Sequence, residues 1–135
     1  MTEAFSAGWK RIETMMRTET DLSGPRDALG AAAALAREQV WLVQATVSHV
    51  MGVPLKELCA ATRRRPQAAF ARQAAIYLCH IVFEVGISDL ARIFGRDPST
   101  VLYAVRRIEE MREDGETDRL LQMLEALLLK AWGEI

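Results

Sequence analysis

The sequence predicts an all-α protein, a helical bundle that contains a helix-turn-helix and has additional N- and C-terminal helices. Apolar residues recur at spacings of three and four in most segments, whereas the alternation with a period of two that is typical of strands is nearly absent. In addition, two predicted helices stand close together and are joined by a short turn that begins with glycine.

The first half of the chain is predicted to contain three helices. An apolar stripe over residues 3–18 predicts an amphipathic helix. A glycine and a proline then interrupt the helical period and predict a loop over 21–26. A helix over 26–51 follows, with a glycine suited to its C-terminal end. Pro54 begins a short helix over 54–60, because proline is tolerated in the first helical turn.

The second half of the chain is predicted to contain four more helices. A basic connector leads to a long apolar helix over 67–84. The helix-turn-helix occupies 87–108, with the turn Gly95-Arg96-Asp97 between its two helices. Its second helix runs from Pro98 to about Arg112. The last predicted helix, over 118–132, is rich in leucine.

Length and composition limit the classes of protein to consider. With 135 residues, 50% hydrophobic and 26% charged, the chain has the size and balance of one compact domain with a terminal extension. It shows neither a signal-peptide pattern nor an apolar run long enough to span a bilayer, so we expect a cytoplasmic protein. Cys59 and Cys79 do not have metal-ligand spacing, so we expect no metal site.

Charge is divided unevenly along the chain, although the formal net charge is only −1. Residues 56–107 hold nine basic and four acidic side chains, a net charge of +5. Residues 108–135 hold three basic and eight acidic side chains, a net charge of −5. A partner that carries phosphates would therefore bind to the 56–107 segment. The acidic run 109–118 is either a solvated helix end or a segment that repels DNA and sets its orientation.

The second helix of the helix-turn-helix has two different sides. Its apolar residues recur at i, i+3, i+4 and i+7, which places on one buried side Val101, Ala104, Val105 and Ile108. The residues left outside are Ser99, Tyr103, Arg106 and Arg107. They form either a solvated surface or the part of a recognition helix that enters a major groove, where the helix N-terminus favours phosphate.

Two runs of residues resemble a known DNA-binding domain. They are Ala71-Arg-Gln-Ala-Ala-Ile-Tyr-Leu78 and Ile87-Ser-Asp-Leu-Ala-Arg-Ile-Phe-Gly-Arg-Asp-Pro-Ser-Thr-Val-Leu-Tyr-Ala-Val-Arg-Arg-Ile108. Together with a short helix and a basic loop in 47–65, they resemble the C-terminal DNA-binding domain of the bacterial replication initiator DnaA. We therefore expect three parts: a helical extension over 1–37, a DnaA-like DNA-binding domain over 38–113, and an acidic, leucine-rich helix over 114–135.

The resemblance implies recognition of double-stranded DNA from both grooves. The arginine of the Arg72-Gln73 pair would enter the minor groove, and the helix-turn-helix would enter the adjacent major groove. Asp97, Ser99 and Thr100 would contact bases there, while basic side chains nearby would bind phosphates. The expected DNA-binding residues are Arg63, Arg64, Arg65, Arg72, Gln73, Arg96, Asp97, Pro98, Ser99, Thr100, Tyr103 and Arg106.

The function implied by the resemblance is regulation of transcription or replication at sites like the DnaA box, in association with the nucleoid. Pro98 departs from the family pattern, in which histidine is usual, and we expect it to change the preferred site more than to abolish binding. The sequence contains no GxxxxGK[ST] phosphate loop. We therefore expect a stand-alone DnaA-like protein without the ATPase domain and without a cofactor.

Three alternatives concern other kinds of partner and catalysis. The helical scaffold could be a protein-interaction module with weak or no DNA binding. The leucine-rich helix packs either on the rest of the chain or on a second copy, in a homodimer formed through the terminal helices. Catalysis and a small-molecule substrate are not expected, because His49 and His80 are isolated and no nucleophile has an identifiable base.

Overall fold

The computed structural model of the protein describes residues 27–59 and 66–133. Within these ranges every regular element is an α-helix, as the sequence predicts. The predicted helix over 3–18, the predicted loop over 21–26 and the basic residues Arg63, Arg64 and Arg65 lie outside the described residues. The described residues divide into two compact units, one that ends at Leu42 and one that begins at Val43.

The helices in these ranges are numbered in chain order. They are α1 (Asp27–Met51), α2 (Leu55–Leu58), α3 (Pro66–Phe83), α4 (Ile87–Phe94), α5 (Pro98–Met111) and α6 (Gly115–Gly133). None of these helices is long and apolar enough to cross a membrane.

Helix α3 is the centre of the second unit and contacts α2, α4, α5 and α6. Much of its surface is alanine, and Ala71, Ala74 and Ala75 are fully buried. Small side chains allow neighbouring helices to approach closely, because the distance between helix axes depends on the residues at the contact. Larger side chains from the other helices complete this core, and those with no exposed surface include Leu90, Ile108, Leu121, Leu124 and Leu128.

Two helix starts differ from the sequence prediction, and each has a local cause. Pro54 precedes α2 instead of opening it: its backbone is extended, and its carbonyl accepts hydrogen bonds from the amides of Glu57 (2.9 Å) and Leu58 (3.0 Å). Helix α6 begins at Gly115, three residues before the predicted Asp118. The Asp114 carboxylate accepts hydrogen bonds from the amide (3.1 Å) and hydroxyl (3.0 Å) of Thr117, which stabilises this earlier start.

The connection from α3 to α4 is compact because its polar groups are paired. Glu84 adopts φ +55°, which ends α3, and the amide of Val85 then donates to the carbonyl of Cys79 at 3.2 Å. Nδ1 of His80 lies 2.9 Å from the Val85 carbonyl oxygen, at hydrogen-bond distance. The isolated histidine noted in the sequence is thus part of the helix end that positions α4.

Candidate nucleic-acid interface

The turn between α4 and α5 depends on one residue with left-handed backbone. Gly95 has φ +64° and ψ +40°, which glycine adopts without the steric cost that a Cβ would add. The amide of Arg96 donates to the carbonyl of Ala91 at 2.9 Å, and the amide of Gly95 donates to that of Arg92 at 3.3 Å. These bonds satisfy carbonyls at the end of α4 and direct the chain into α5.

Asp97 and Pro98 form the start of α5. Asp97 is the N-cap residue with extended backbone (φ −68°, ψ 146°), and its carbonyl accepts hydrogen bonds from the amides of Thr100 (3.0 Å) and Val101 (3.1 Å). Pro98 then occupies a first-turn position, where an amide hydrogen is not required. In the described part of the chain the Asp97 carboxylate makes no capping hydrogen bond, so helix capping does not occupy its oxygens.

Helix α5 separates apolar from polar side chains as the sequence predicts. It contacts α3 and α4, and its buried residues are Val101, Ala104, Val105 and Ile108. On the opposite side Ser99, Tyr103 and Arg106 follow one another at spacings of four and three and are exposed. Tyr103 is 54% exposed, so a large aromatic side chain is available on this side of α5.

Positive charge lies in the turn before α5 and in the second half of α5, ahead of its last turn. Arg96 is half-buried in the turn, and Arg106 and Arg107 are exposed. Arg107 makes a 4.0 Å ion pair with Glu110, which is weak because both side chains are largely in solvent. The exposed Glu109 and Glu110 make the far end of α5 acidic. The electrostatic potential of the outward side therefore changes sign along the helix.

We call the outward residues of the turn and of the first turns of α5 the recognition surface. Its members are Arg96, Asp97, Pro98, Ser99, Thr100, Tyr103 and Arg106. These seven of the twelve expected DNA-binding residues are thus brought together on one continuous segment, and all except Arg96 are exposed. Whether they contact DNA stays a prediction.

Arg72, which is expected to enter a minor groove, lies on α3 and is only 7% exposed. Its Nε donates to the carbonyl of Leu58 at 3.0 Å, and one Nη donates to that of Glu57 at 3.1 Å. These carbonyls belong to the C-terminal end of α2, so Arg72 joins α2 to α3. Gln73 beside it is half-buried. The minor-groove contact stays a prediction, and Arg72 also has a structural role that sequence reasoning did not identify.

Sequence reasoning also missed a polar cluster around Arg112. Its Nε donates to Asp118 at 2.7 Å, and one Nη donates to Glu125 and to the Tyr77 hydroxyl, the latter at 3.1 Å. Burial lowers the pKa of Arg112, but the hydrogen bonds with Asp118, Glu125 and Tyr77 outweigh it, so the pKa is raised. The available signal was spacing, because Arg112 follows the buried Ile108 by four residues and continues the buried side of α5.

In the described residues, the side chains that could bind a metal or act as a nucleophile are dispersed. Among the described residues, no three His, Cys, Asp or Glu side chains are grouped as metal ligands. Cys79 is buried, and burial raises the pKa of its thiol. Cys59 is exposed as a residue, and its sulfur accepts a hydrogen bond from the Gln44 side chain at 3.6 Å.

Comparison with known families matches this region to one model. Residues 40–108 match the family described as the bacterial DnaA protein helix-turn-helix. The matched range contains α2, α3, α4 and most of α5, and so includes the whole recognition surface. The range ends before the Arg112 cluster and α6.

Similar proteins include chromosomal replication initiator proteins DnaA from several bacteria. The protein of Tropheryma whipplei is 35% identical over 74 residues, which are 55% of this chain and 15% of that protein. The protein of Pelobacter propionicus is 31% identical over 93 residues (67% and 20%), and that of Ruegeria pomeroyi is 29% identical over 119 residues (85% and 25%). The chain thus spans a quarter or less of the length of these relatives.

A solved structure also resembles the chain. It is described as the crystal structure of a DNA replication initiation factor, and it superposes with a TM-score of 0.69 at 25% sequence identity. The likeness covers 76% of this chain and 32% of the other. The all-α fold predicted from the sequence is confirmed by this likeness and by the family match.

Proposed function

Because the chain belongs to the family of bacterial DnaA helix-turn-helix domains, we propose that it binds double-stranded DNA with α5 in the major groove. The observation that carries the proposal is the recognition surface. Polar, aromatic and basic side chains are exposed along the segment from Asp97 to Arg106, while the opposite side of α5 is buried in the core. A helix held in this way can enter a groove without rearrangement of the fold.

The side chains of the recognition surface have the chemistry that base and phosphate contacts need. The Asp97 carboxylate can accept a hydrogen bond from the cytosine amino group, and the Ser99 and Thr100 hydroxyls can donate or accept at base edges. Arg96 and Arg106 flank these groups and can bind phosphates, which orient a protein on DNA without reading sequence. The surface thus combines groups for specificity with groups for affinity.

The acidic end of α5 supports one orientation of the helix. Glu109 and Glu110 are exposed beyond the basic residues, and the phosphate backbone would repel them. The N-terminal turns of α5 would therefore lie deepest in the groove, with the far end of the helix directed away from the DNA. This assigns an orienting role to the start of the acidic run that the sequence shows at 109–118.

Pro98 makes the base preference differ from that of relatives with histidine in this position. A proline ring donates no hydrogen bond, and it offers only an apolar edge such as a thymine methyl group would contact. We propose that Pro98 changes the preferred site, and that the variant Pro98→His moves the preference toward the DnaA box.

Arg72 completes the proposal as the residue that contacts the minor groove. Its guanidinium already donates to the carbonyls of Glu57 and Leu58, so Arg72→Ala would remove structural bonds together with any DNA contact. Arg72→Lys retains the charge but not the forked geometry. If both variants keep the wild-type melting temperature and the wild-type affinity, Arg72 has neither role.

Regulation of replication or transcription is the process that we propose for this binding. The similar proteins are named as chromosomal replication initiators, and the family model that matches this chain is the bacterial DnaA helix-turn-helix. The chain would act at initiator-like sites by occupying them, in association with the nucleoid. These residues contain no phosphate loop for ATP, so their occupancy of DNA would not be coupled to nucleotide hydrolysis.

Equilibrium binding to duplexes selected from a random pool tests the proposal. Wild type should bind at low salt, with log Kobs falling by about 0.9 per log unit of salt for each phosphate contact. Thr100→Ala should weaken binding about tenfold or more, because it removes one base contact. Thr117→Ala is the matched control, since Thr117 has the same position in α6 as Thr100 has in α5. It removes the hydroxyl bond to Asp114 but should bind DNA as wild type does. Absence of wild-type binding to any duplex at low salt would disprove the proposal.

A protein-interaction module is the second candidate, and one observation favours it. Helix α6 exposes the large apolar side chains Met123 and Leu127, one helical turn apart, at 45% and 42%. Exposed apolar side chains that lie together mark contact surfaces more often than exposed single residues do. The binding experiment separates the two candidates, because an interaction module without a DNA partner shows no salt-dependent affinity for duplex.

A further inference from the structure

Helix α6 has an exposed apolar side that DNA binding does not use. Its inner side consists of Leu121, Leu124 and Leu128, which have no exposed surface. A different side carries Met123 and Leu127, which are 45% and 42% exposed, and the half-buried Leu120. Helix α6 thus carries more large apolar side chains than it buries within its own unit.

The residues Leu120, Met123 and Leu127 lie on one line along the helix, and a charged residue lies at each end of this line. The residues of this line, which we call the α6 seam, are Glu116, Leu120, Met123, Leu127 and Lys130. Their spacings of four, three, four and three average 3.5 residues, the repeat at which two helices keep a continuous line of contact. Glu116 and Lys130 are both exposed.

The seam belongs to a helix that is fixed at both ends. Near its start, Arg112 hydrogen-bonds Asp118 and Glu125. Near its end, the ring of Trp132 packs edge-to-face on Phe83 of α3, with 5.5 Å between ring centroids. A rigid helix loses little conformational entropy when it binds, which favours its use as an interface.

We propose that the α6 seam pairs with the α6 seam of a second copy of this chain, antiparallel and about a two-fold axis near Met123. The axis places Met123 opposite its own equivalent and Glu116 opposite Lys130 twice. Leu120 of one copy then lies within one residue of the level of Leu127 of the other. Such an interface is isologous, since each contact of residue i with residue j is repeated as j with i.

The charges at the ends of the seam are the reason to choose a second copy, and this orientation of it. An antiparallel pair brings opposite charges together at both ends of the contact. A parallel pair would place Glu116 against Glu116 and Lys130 against Lys130, and juxtaposed like charges oppose association. The seam is therefore complementary to itself in one direction only.

The molar mass of the full chain in solution, measured by light scattering over a range of concentrations without DNA, tests this pairing. The molar mass of wild type should rise from that of one chain toward that of two chains as the protein concentration increases. Met123→Lys places like charges on the two-fold axis and should keep the mass of one chain throughout. Leu129→Lys, on another side of α6, is the matched control and should dimerise as wild type does. Melting curves should show that both variants are folded.

Exchanging the charges of Glu116 and Lys130 tests whether the two α6 helices pair antiparallel. Glu116→Lys and Lys130→Glu should each weaken the dimer about tenfold, because each creates two like-charge contacts. The double variant Glu116→Lys with Lys130→Glu should restore wild-type dimerisation. A wild type that is monomeric at every concentration, a dimer that persists in Met123→Lys, or a double variant without recovery would overturn the proposal. None of these outcomes depends on DNA binding.

Discussion

Helices α5 and α6 are alike on their inner sides, which pack in the core, and differ on their outer sides. Both contact α3, and both bury aliphatic side chains at spacings of three and four. Outside, α5 is polar at its start and carries Arg106 farther along. The outer side of α6 instead presents Met123 and Leu127 between Glu116 and Lys130. Packing on α3 explains the inner sides only. The outer sides are where we expect the two helices to bind different partners, DNA for α5 and a second chain for α6.

The largest effect on stability should come from a substitution on the inner side of α6. Leu124→Ala leaves a cavity at a site with no exposed surface and should lower the free energy of unfolding by about 2–5 kcal/mol. Leu129→Ala, at 59% exposure, should change it by less than about 0.5 kcal/mol. Urea unfolding followed by circular dichroism measures both. Equal small effects would mean that α6 is not part of the core.

The second largest effect on stability should come from Arg112, which lies between α5 and α6. Arg112→Ala leaves the carboxylates of Asp118 and Glu125 without their cation. The loss should be about 2–3 kcal/mol, below that of a fully buried pair, because the Arg112 side chain is 19% exposed. Arg92→Ala breaks the surface pair of Arg92 with Asp89 and should cost less than about 1 kcal/mol. If the two variants unfold at the same urea concentration, the Arg112 cluster does not secure α6.

A smaller effect, on binding and not on folding, should come from the outer side of α5. Arg106→Ala should leave the unfolding curve unchanged, since Arg106 is exposed, and should reduce the salt slope of DNA binding by about 1. Arg119→Ala removes an exposed arginine from α6 instead and should leave both affinity and slope as in wild type. Equal losses in the two variants would show that the outer sides do not differ in function.

The smallest change in total affinity should come from Pro98→His. Both residues are tolerated at the start of a helix, so the fold and the phosphate contacts should persist. The preference among duplexes should change, by about 1–3 kcal/mol at one base pair, and competition between selected duplexes measures it. An unchanged ranking of sites would mean that position 98 does not contact bases.

The features that could be predicted from the sequence are those that depend on near neighbours in the chain. The two sides of α5 follow from a repeat within eight residues, and the turn at Gly95 from a single glycine between two helices. The helix-turn-helix was therefore predicted with its bounds nearly correct. The start of α6 was missed although Asp114 and Thr117, three residues apart, contain the capping signal.

The features that could not be predicted depend on residues far apart in the chain. Arg112 meets Tyr77, which is 35 positions earlier, and Arg72 meets carbonyls of α2, about 15 positions earlier. Periodicity does not show such pairs, because it describes one helix at a time. It also predicts a last helix that is rich in leucine, but only the packing on α3 decides which leucines remain outside.

The most direct test of the difference between the two outer sides is a titration of the isotope-labelled protein with a selected duplex, followed by amide NMR signals at low salt. The account predicts that signals of Arg96 to Arg106 shift with the added DNA, while those of Met123 to Lys130 stay at the positions seen without DNA. Shifts confined to α6, or none in the turn and first turns of α5, would contradict it.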